Sequence, residues 1–511
     1  MPRYRVHMEN SFDRPSVSLE IGEIVAGDRR SFVEKLGRWG LTAGAFAASG
    51  VSPWIPSPAE ASESGGLRAL RRAVRGTVVA RGDSAWPGWC EGLVWQQRKP
   101  SRRPPLIIQA ESETDVMEAV RFARRNGLKV GVRTGGHSVW ATFMRDEGLL
   151  IDLSLLTGAT FNREEQVAVV QPALWGFHLI ERGAPHGLAF PVSHCGQVGL
   201  GGYLIGGGVG LNHDQWGAMA CFSILAADIV TADGNLVTAD AQRNQDLLWA
   251  VRGAGQGFPG IVTKLKLQMQ PRPGAVRKNL YVLPLHKAAQ ACVWVRSALA
   301  SRPGPVEVLM VLANGASGGP PVALVMVNIF AADAQEAEEC LKPFKSSELA
   351  AAAVFKSESQ ASTMEQVLID SVNPMTGFGY GAFAVDTIWT SDPEKAMESL
   401  APLMTRAPSR TSHVVVAFKS SARLPQDAAC SRIDHTFMGI YATWMGHVNE
   451  PSNVAWLREG SKVLAPWATG RYINEIDAEA APGRAQECFS PEAWKKLGAI
   501  RRGRDPSGLF N

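Results

Sequence analysis

Val132-Arg133-Thr134-Gly135-Gly136-His137-Ser138 sets a nucleophilic imidazole inside a backbone loop almost stripped of side chains. Two adjacent glycines let the main chain approach a ligand closely and turn several N–H groups to one point, which suits a pyrophosphate. Upstream, Ser112 with Asp115 reads as a helix start, Val116, Ala119, Val120 and Ala123 recur at helical spacing, and Asn126-Gly127 stops the helix. Lys129 to Arg133 then reads as a strand. The order helix, strand, Gly-Gly-His loop puts the loop at a strand end, where α/β folds place ligands. The bland alternative is a surface turn with an incidental histidine.

A second cluster, His194-Cys195-Gly196-Gln197-Val198-Gly199-Leu200-Gly201-Gly202 followed by Gly206-Gly207-Gly208-Val209-Gly210, places eight glycines between positions 196 and 210. Glycine is costly in regular elements, so this density argues for backbone packed tightly against something large and flat or phosphorylated. Cys195 heads the run. A lone cysteine is more often a small buried hydrophobe, but its place at the mouth of a Gly-rich loop points to chemistry.

Further on come Asp246-Leu247-Leu248-Trp249-Ala250-Val251-Arg252-Gly253, Phe258-Pro259-Gly260-Ile261-Val262-Thr263, Tyr472-Ile473-Asn474 and Asp505-Pro506-Ser507-Gly508-Leu509-Phe510. Together, in this order and spacing, these segments resemble the berberine-bridge-enzyme-like flavoproteins of the vanillyl-alcohol-oxidase and p-cresol-methylhydroxylase (PCMH) superfamily. The resemblance runs from about Leu67 to the end, strong through the first half and weak from Gly274 to Leu464. It implies an α+β fold: a two-subdomain PCMH-type FAD-binding domain and an α+β substrate domain with an antiparallel sheet.

The same resemblance implies an FAD tethered twice, His137 to the 8α carbon of the ring system and Cys195 to ring carbon 6. Both attachments need a nucleophile beside an electron-poor ring, and cysteine reacts as its thiolate. Around the cofactor the matching positions are Arg133, Thr134, Gly135, Gly136, Ser138, Val198, Gly199, Gly201, Gly202, Gly206, Gly207, Ile261, Val262 and Asn474. Gly196-Gln197 departs from the family's Pro-Thr. The implied activity is hydride transfer from an alcohol-type substrate to flavin, a sugar or other secondary alcohol first and aromatic or alkaloid-like metabolites second. Molecular oxygen is then reduced to hydrogen peroxide. Val198 stands where the family's oxidases favour valine. The alternatives are an exported dehydrogenase using a quinone or cytochrome, and a flavin-carrying binding protein without turnover.

The base that removes the substrate proton is expected near the C-terminus, where the family often has Tyr-x-Asn-Tyr. Here the stretch is Tyr472-Ile473-Asn474-Glu475. A carboxylate does the same work if burial raises its proton affinity. Glu475 is therefore a candidate, with Tyr472 beside it. Asp386 and Tyr380 are the alternatives.

Rival motifs fail on context. Gly255-Gln256-Gly257-Phe258-Pro259-Gly260 satisfies a G-x-G-x-x-G search but follows a helix-like stretch, Gln245 to Arg252, and precedes an alternating strand, Ile261 to Met269. Gly315-Ala316-Ser317-Gly318-Gly319 spells a hydrolase elbow, yet Pro320-Pro321 and Val322 to Phe330 follow where a helix is needed, which suits a hairpin with Val306 to Leu312. His178, His186, His194 and His213 have no metal-ligand spacing, and no Cys-x-x-Cys occurs, so no metal is expected.

At the N-terminus, Asp28-Arg29-Arg30-Ser31-Phe32-Val33 resembles a twin-arginine export signal, Trp39 to Val51 is a moderately apolar stretch too short to span a bilayer, and Ala59-Glu60-Ala61 suits a signal peptidase. The alternative is a basic leader without an address. Export through the twin-arginine translocase carries folded proteins, which fits a flavoprotein loaded in the cytoplasm, and implies a periplasmic or secreted product with no stable membrane insertion. The division expected is a signal peptide at 1–61, an FAD-binding domain at 62–273, a substrate domain at 274–464 and a C-terminal segment at 465–511 completing the FAD domain. A net charge of +4 is too mild to argue for nucleic acid, and 45% hydrophobic content supports real cores. Seven cysteines leave six besides Cys195, whose pairing the sequence does not show.

Overall fold

The computed structural model describes residues 65–301, 304–315, 318–376, 381–419, 427–446, 449–481 and 483–510, without the side chains of Leu349 and of 372–376. Apart from Gly318 and Gly319 these belong to one compact unit, Ser57–Gly315 with Pro320–Asn511. The expected export signal and cleavage site lie outside the described residues, as does Tyr380.

The helix before the Gly-Gly-His loop spans Glu113–Arg125 and starts where Ser112 Oγ accepts the Asp115 N–H. It ends at Asn126, after which Gly127 takes φ +62°, the left-handed turn that a glycine adopts without strain. Its apolar stripe covers a four-stranded sheet of β1 (Thr77–Ala80), β2 (Leu106–Gln109), β3 (Val130–Arg133) and β4 (Leu149–Asp152), in the order β1-β2-β4-β3. β2, β4 and β3 run parallel, with β1 antiparallel at one edge. Arg133 is the last residue of β3, so the loop does leave a strand end.

A five-stranded antiparallel sheet follows, built from β5 (Ala159–Asn162), β6 (Val167–Val170), β8 (Ile224–Val230), β9 (Leu236–Ala239) and β10 (Ile261–Gln268) in the order β5-β6-β10-β8-β9. A short pair, β7 (Leu188–Ala189) and β11 (Gln270–Pro271), lies beside it. The G-x-G-x-x-G segment falls between a helix, Gln245–Val251, and β10, the reverse of the order a dinucleotide fingerprint requires.

Between Ala275 and Trp444 the chain forms a seven-stranded antiparallel sheet: β12 (Ala275–Pro284), β13 (Val306–Ala313), β14 (Val322–Ala331), β15 (Phe355–Ser362), β16 (Ala382–Thr390), β17 (His413–Phe418) and β18 (Thr436–Trp444). Their order is β15-β12-β14-β13-β17-β18-β16. β13 and β14 pair antiparallel, as expected of a hairpin rather than a nucleophile elbow. Asp333 caps the helix Ala334–Lys345 through the Glu336 N–H, and the Glu336 carboxylate accepts from Ala332 N–H.

Strand alternation gives this sheet two unlike faces. Val308, Met310, Val414, Val416, Met438 and Ile440 point into a core shared with the covering helices. Leu309, His413, Val415, Ala417, Phe437 and Tyr441, with the opposite parity, face the cavity described below. All seven cysteines are free thiols, and no helix among the described residues is long and apolar enough to cross a membrane.

Candidate active site

The Gly-Gly-His loop is held from behind. Arg133 reaches Asp152 on β4 at 2.8 Å and donates to the Leu93 carbonyl at 3.0 Å. Gly136, at φ +73°, lies so close that a Cβ would come within 2.3 Å of that same carbonyl, so no other residue fits without moving it. The loop touches the second glycine cluster directly, since a Cβ on Gly135 would sit 3.2 Å from the Gly199 nitrogen. Among the described residues, the amides of Thr134 to Ser138 donate to no protein group. Consecutive free N–H groups on a glycine loop are what a phosphate or a flavin edge needs.

One cavity takes in Arg133 to Ser138, Cys195, Val198, Gly199, Gly201, Gly202, Ile261, Val262 and the C-terminal trio Tyr472, Asn474 and Glu475. Within it, the His137 ring stacks on Trp95 at 4.5 Å and 11°. Desolvation, and then the nearby Arg133 charge, bring its pKa down to about 4, so the imidazole is neutral and nucleophilic at neutral pH. Burial pushes the Cys195 thiol up, with the Gln197 backbone N–H opposing, so it rests as the thiol. The residues present fit a bound flavin: a side-chain-free wall, unpaired amides and two nucleophiles in one cavity.

The opposite wall is the odd-numbered face of the seven-stranded sheet. There Tyr441 stacks on His413 at 5.1 Å with rings within 4° of parallel, and its hydroxyl donates to Glu475 Oε2 at 2.7 Å. Glu475 is enclosed by protein, its remaining surface opening into the cavity. Desolvation raises its proton affinity, while the Tyr441 hydrogen bond and the charge of His194 work the other way. His413 is kept neutral by burial, against the pull of the Thr411 carbonyl.

Tyr472, Ile473, Asn474 and Glu475 do not form a strand. Residues Ile473–Glu475 make a single tight turn, closed by the Glu475 N–H on the Tyr472 carbonyl at 2.9 Å, so period-two alternation does not apply. Tyr472, Asn474 and Glu475 all reach the cavity, whereas Ile473 lies against Gly255. The Tyr472 hydroxyl accepts from the Gly208 N–H at 3.0 Å and from Asn474 Nδ2 at 3.0 Å, which spends it on holding the glycine run. Burial, then Glu475, pushes that phenol up, away from service as a base. Gly206 and Gly207 lie behind the cavity rather than on its surface: a Cβ on Gly206 would collide with Asn474.

Asp386 is removed from the cavity by parity. On β16, Phe383 faces the cavity, so Asp386 three positions on faces the covering helices. There it is 2% exposed and bonded to Ser461, Arg471 at 3.0 Å, Arg484 and the Asp477 N–H at 3.0 Å. It is a structural carboxylate, spent on two guanidinium groups, a hydroxyl and a backbone N–H.

Residues 104–240 match the family model described as an FAD binding domain. The FAD-linked oxidoreductase penO of Penicillium crustosum is 25% identical over 429 residues, which cover 82% of this chain and 93% of that protein. The chain is an FAD-linked oxidoreductase. Among solved structures, the berberine-bridge-enzyme-like protein 1 of Physcomitrella patens superposes with a TM-score of 0.75 at 20% identity, covering 88% of this chain and 98% of that one. The 6-hydroxy-D-nicotine oxidase of Arthrobacter nicotinovorans gives 0.74 at 23% identity, over 86% and 97%. The oxidoreductase therefore has the berberine-bridge-enzyme-like, PCMH-type fold.

Sequence reasoning missed Trp95, His194, His413 and Tyr441 on this oxidoreductase's cavity, and Glu307 buried behind His194. The signal for three of them is faint but present: in an apolar strand, His413 and Tyr441 break the pattern on the face that alternation assigns away from the core, and His194 immediately precedes Cys195. Glu307 is a lone carboxylate in an apolar run, Val306 to Leu312. His194 and His213 do converge on it, but no group of three potential metal donors is present among the described residues.

Proposed function

We propose that the protein is an oxidase carrying FAD bonded to both His137 and Cys195, with Glu475 as the base. The observation that carries the reading is Glu475 itself: a carboxylate of raised proton affinity, aimed into the cavity that also holds both nucleophiles. When bound, FAD supplies two-electron chemistry, accepting a hydride from the substrate and passing the electrons to oxygen as hydrogen peroxide. Glu475 takes the proton from the adjacent substrate hydroxyl, and Tyr441 holds the carboxylate in one orientation through its hydrogen bond. His137 offers a neutral nitrogen to the ring and Cys195 a sulfur once its proton is lost.

The substrate wall favours one of the two substrate classes. Leu309, Phe383, Val415, Ala417 and Phe437 are apolar, and the polar groups gather at the Glu475 end. A sugar buried there would leave most of its hydroxyls without partners, each at a cost of about 1–3 kcal/mol. An aromatic or alkaloid-like body with one ionisable hydroxyl loses nothing on the same wall. Val198 lines the cavity and stands where the oxidases of the resembled family favour valine, which supports oxygen as acceptor over a quinone or cytochrome. Division into an FAD domain at 62–273 and 465–511 around a substrate domain at 274–464, and export by the twin-arginine route, complete the proposal.

The test is a panel of sugars, polyols and phenols screened for anaerobic flavin bleaching, followed by peroxide release under air. Bleaching without peroxide would leave a dehydrogenase, and no bleaching by any class would leave a binding protein. Acid precipitation that leaves all flavin in the supernatant would refute the double bond to protein.

A further inference from the structure

Glu307 lies on β13 two positions from Leu309, on the cavity side of the sheet, and is 1% exposed. Neither Lys nor Arg pairs with it among the described residues. Its carboxylate accepts from the Asn212 N–H at 2.9 Å, from Asn328 Nδ2 at 3.0 Å and from His194 Nε2 at 3.1 Å. His213 Nδ1 is further off, at 3.8 Å, and its proton goes to the Gly210 carbonyl at 3.1 Å. A buried carboxylate without a cation is costly, so the imidazole that donates to it is the place for the compensating positive charge.

His194 is the member of this set that reaches the cavity. Its second nitrogen, Nδ1, makes no hydrogen bond among the described residues. Across the cavity lies Glu475, which likewise has no Lys or Arg partner among the described residues. The titratable groups around Glu475 are Tyr441 from β18, His194 from the loop before Cys195, Tyr472 from its own turn and Tyr203 from the helix Leu200–Ile205. Behind these stand His413 on Tyr441 and Glu307 on His194. Of these groups, His194 and His413 are positive when protonated; burial keeps His413 neutral, whereas the Glu307 carboxylate favours the charged His194.

We infer that His194, held as a cation by the buried Glu307, is a positioning residue that keeps Glu475 ionised in its enclosed site. The tendency of the two groups is consistent with this: burial works against a charged His194, but Glu307 raises its proton affinity overall. Burial likewise works against a charged Glu307, and His194 and then His213 hold its carboxyl well below the usual range. The inference deepens the reading of Glu475 as base, since a base that stays protonated accepts nothing, yet it concerns the charge state of Glu475 and is measured apart from turnover.

The experiment is an infrared titration of the flavin-loaded protein labelled with carbon-13 glutamate, the Glu475 band being assigned by its loss in Glu475→Gln. In His194→Gln the midpoint of that band should rise by about one pH unit or more, a tenfold or greater gain in proton affinity. Glu307→Gln should move it in the same direction, and the double variant no further than His194→Gln alone. A midpoint in His194→Gln or Glu307→Gln within about 0.3 unit of the wild type overturns the inference. Glu307→Gln leaves no buried charge without a partner, so it preserves the fold if His194→Gln does not, and an unchanged flavin spectrum confirms that. Failure of Glu475 as base shows separately, as wild-type flavin reduction in Glu475→Gln, and leaves the titration result standing.

Discussion

The two walls of the cavity are built by opposite means. The flavin wall is mostly backbone: eleven residues in two short stretches, 133–138 and 195–202 less Gly196, Gln197 and Leu200, supply its nucleophiles and its glycine surface. The substrate wall takes single side chains from β13, β16, β17 and β18, at strand positions set by parity alone. Backbone geometry tolerates no replacement, because a Cβ at Gly136 meets a carbonyl at 2.3 Å. Side chains on a sheet face can change without disturbing the strands that carry them. The first wall therefore specifies a cofactor and the second a substrate.

The largest expected effect separates the two acids once considered together. Asp386→Ala should cost about 3–5 kcal/mol of stability, because Arg484 loses its carboxylate partner and the buried Arg471 keeps only the half-exposed Glu487. Chemical denaturation measures it, and a loss under 1 kcal/mol would show that those arginines find other partners. Glu475→Gln should instead slow flavin reduction by ~100-fold or more with the flavin spectrum intact. It should also raise the melting temperature at neutral pH. A carboxyl whose folded pKa is raised stabilises the fold below its unfolded value and loses that contribution as pH climbs through the folded one, so the wild type carries the penalty above that window and the glutamine does not. Reduction at the wild-type rate in stopped flow would remove Glu475 from the chemistry.

Smaller effects test the details of each wall. Tyr441→Phe removes the donor that favours the Glu475 carboxylate, so the acid limb of the reduction rate should move to higher pH by roughly one unit. A limb that stays in place, or moves down, breaks the link between the two. On the flavin wall, His137→Ala and Cys195→Ala should each retain flavin through acid precipitation, and only the double variant should release it. Release from either single variant would reduce the attachment to one bond.

Legibility follows the same division. The helix Glu113–Arg125, its cap at Ser112, its stop at Gly127 and the strand leading to the glycine loop all follow from short-range patterns, and each stands where the pattern puts it. The β13–β14 hairpin is equally local. The turn at Tyr472 to Glu475 was not legible, since its four residues carry no glycine or proline and the closing hydrogen bond is made only once the segment is seated. Nor was the fate of Asp386 and Tyr472, one spent on two arginines and the other on the glycine run, because those partners lie 85 and 98 positions, and 264 positions, away along the chain.

The sequence by itself determined what the backbone does: where elements start and stop, which loop is bare enough to take a large cofactor, and which histidine and cysteine stand in it. Capping, periodicity and glycine conformations act within a few residues, so they need no knowledge of the rest of the chain. Only the tertiary structure decided which of several acids faces the cavity, and that Tyr441 and His194 stand over it. Strand parity is readable in each strand, but which face meets the glycine loops depends on how the whole sheet is seated against them.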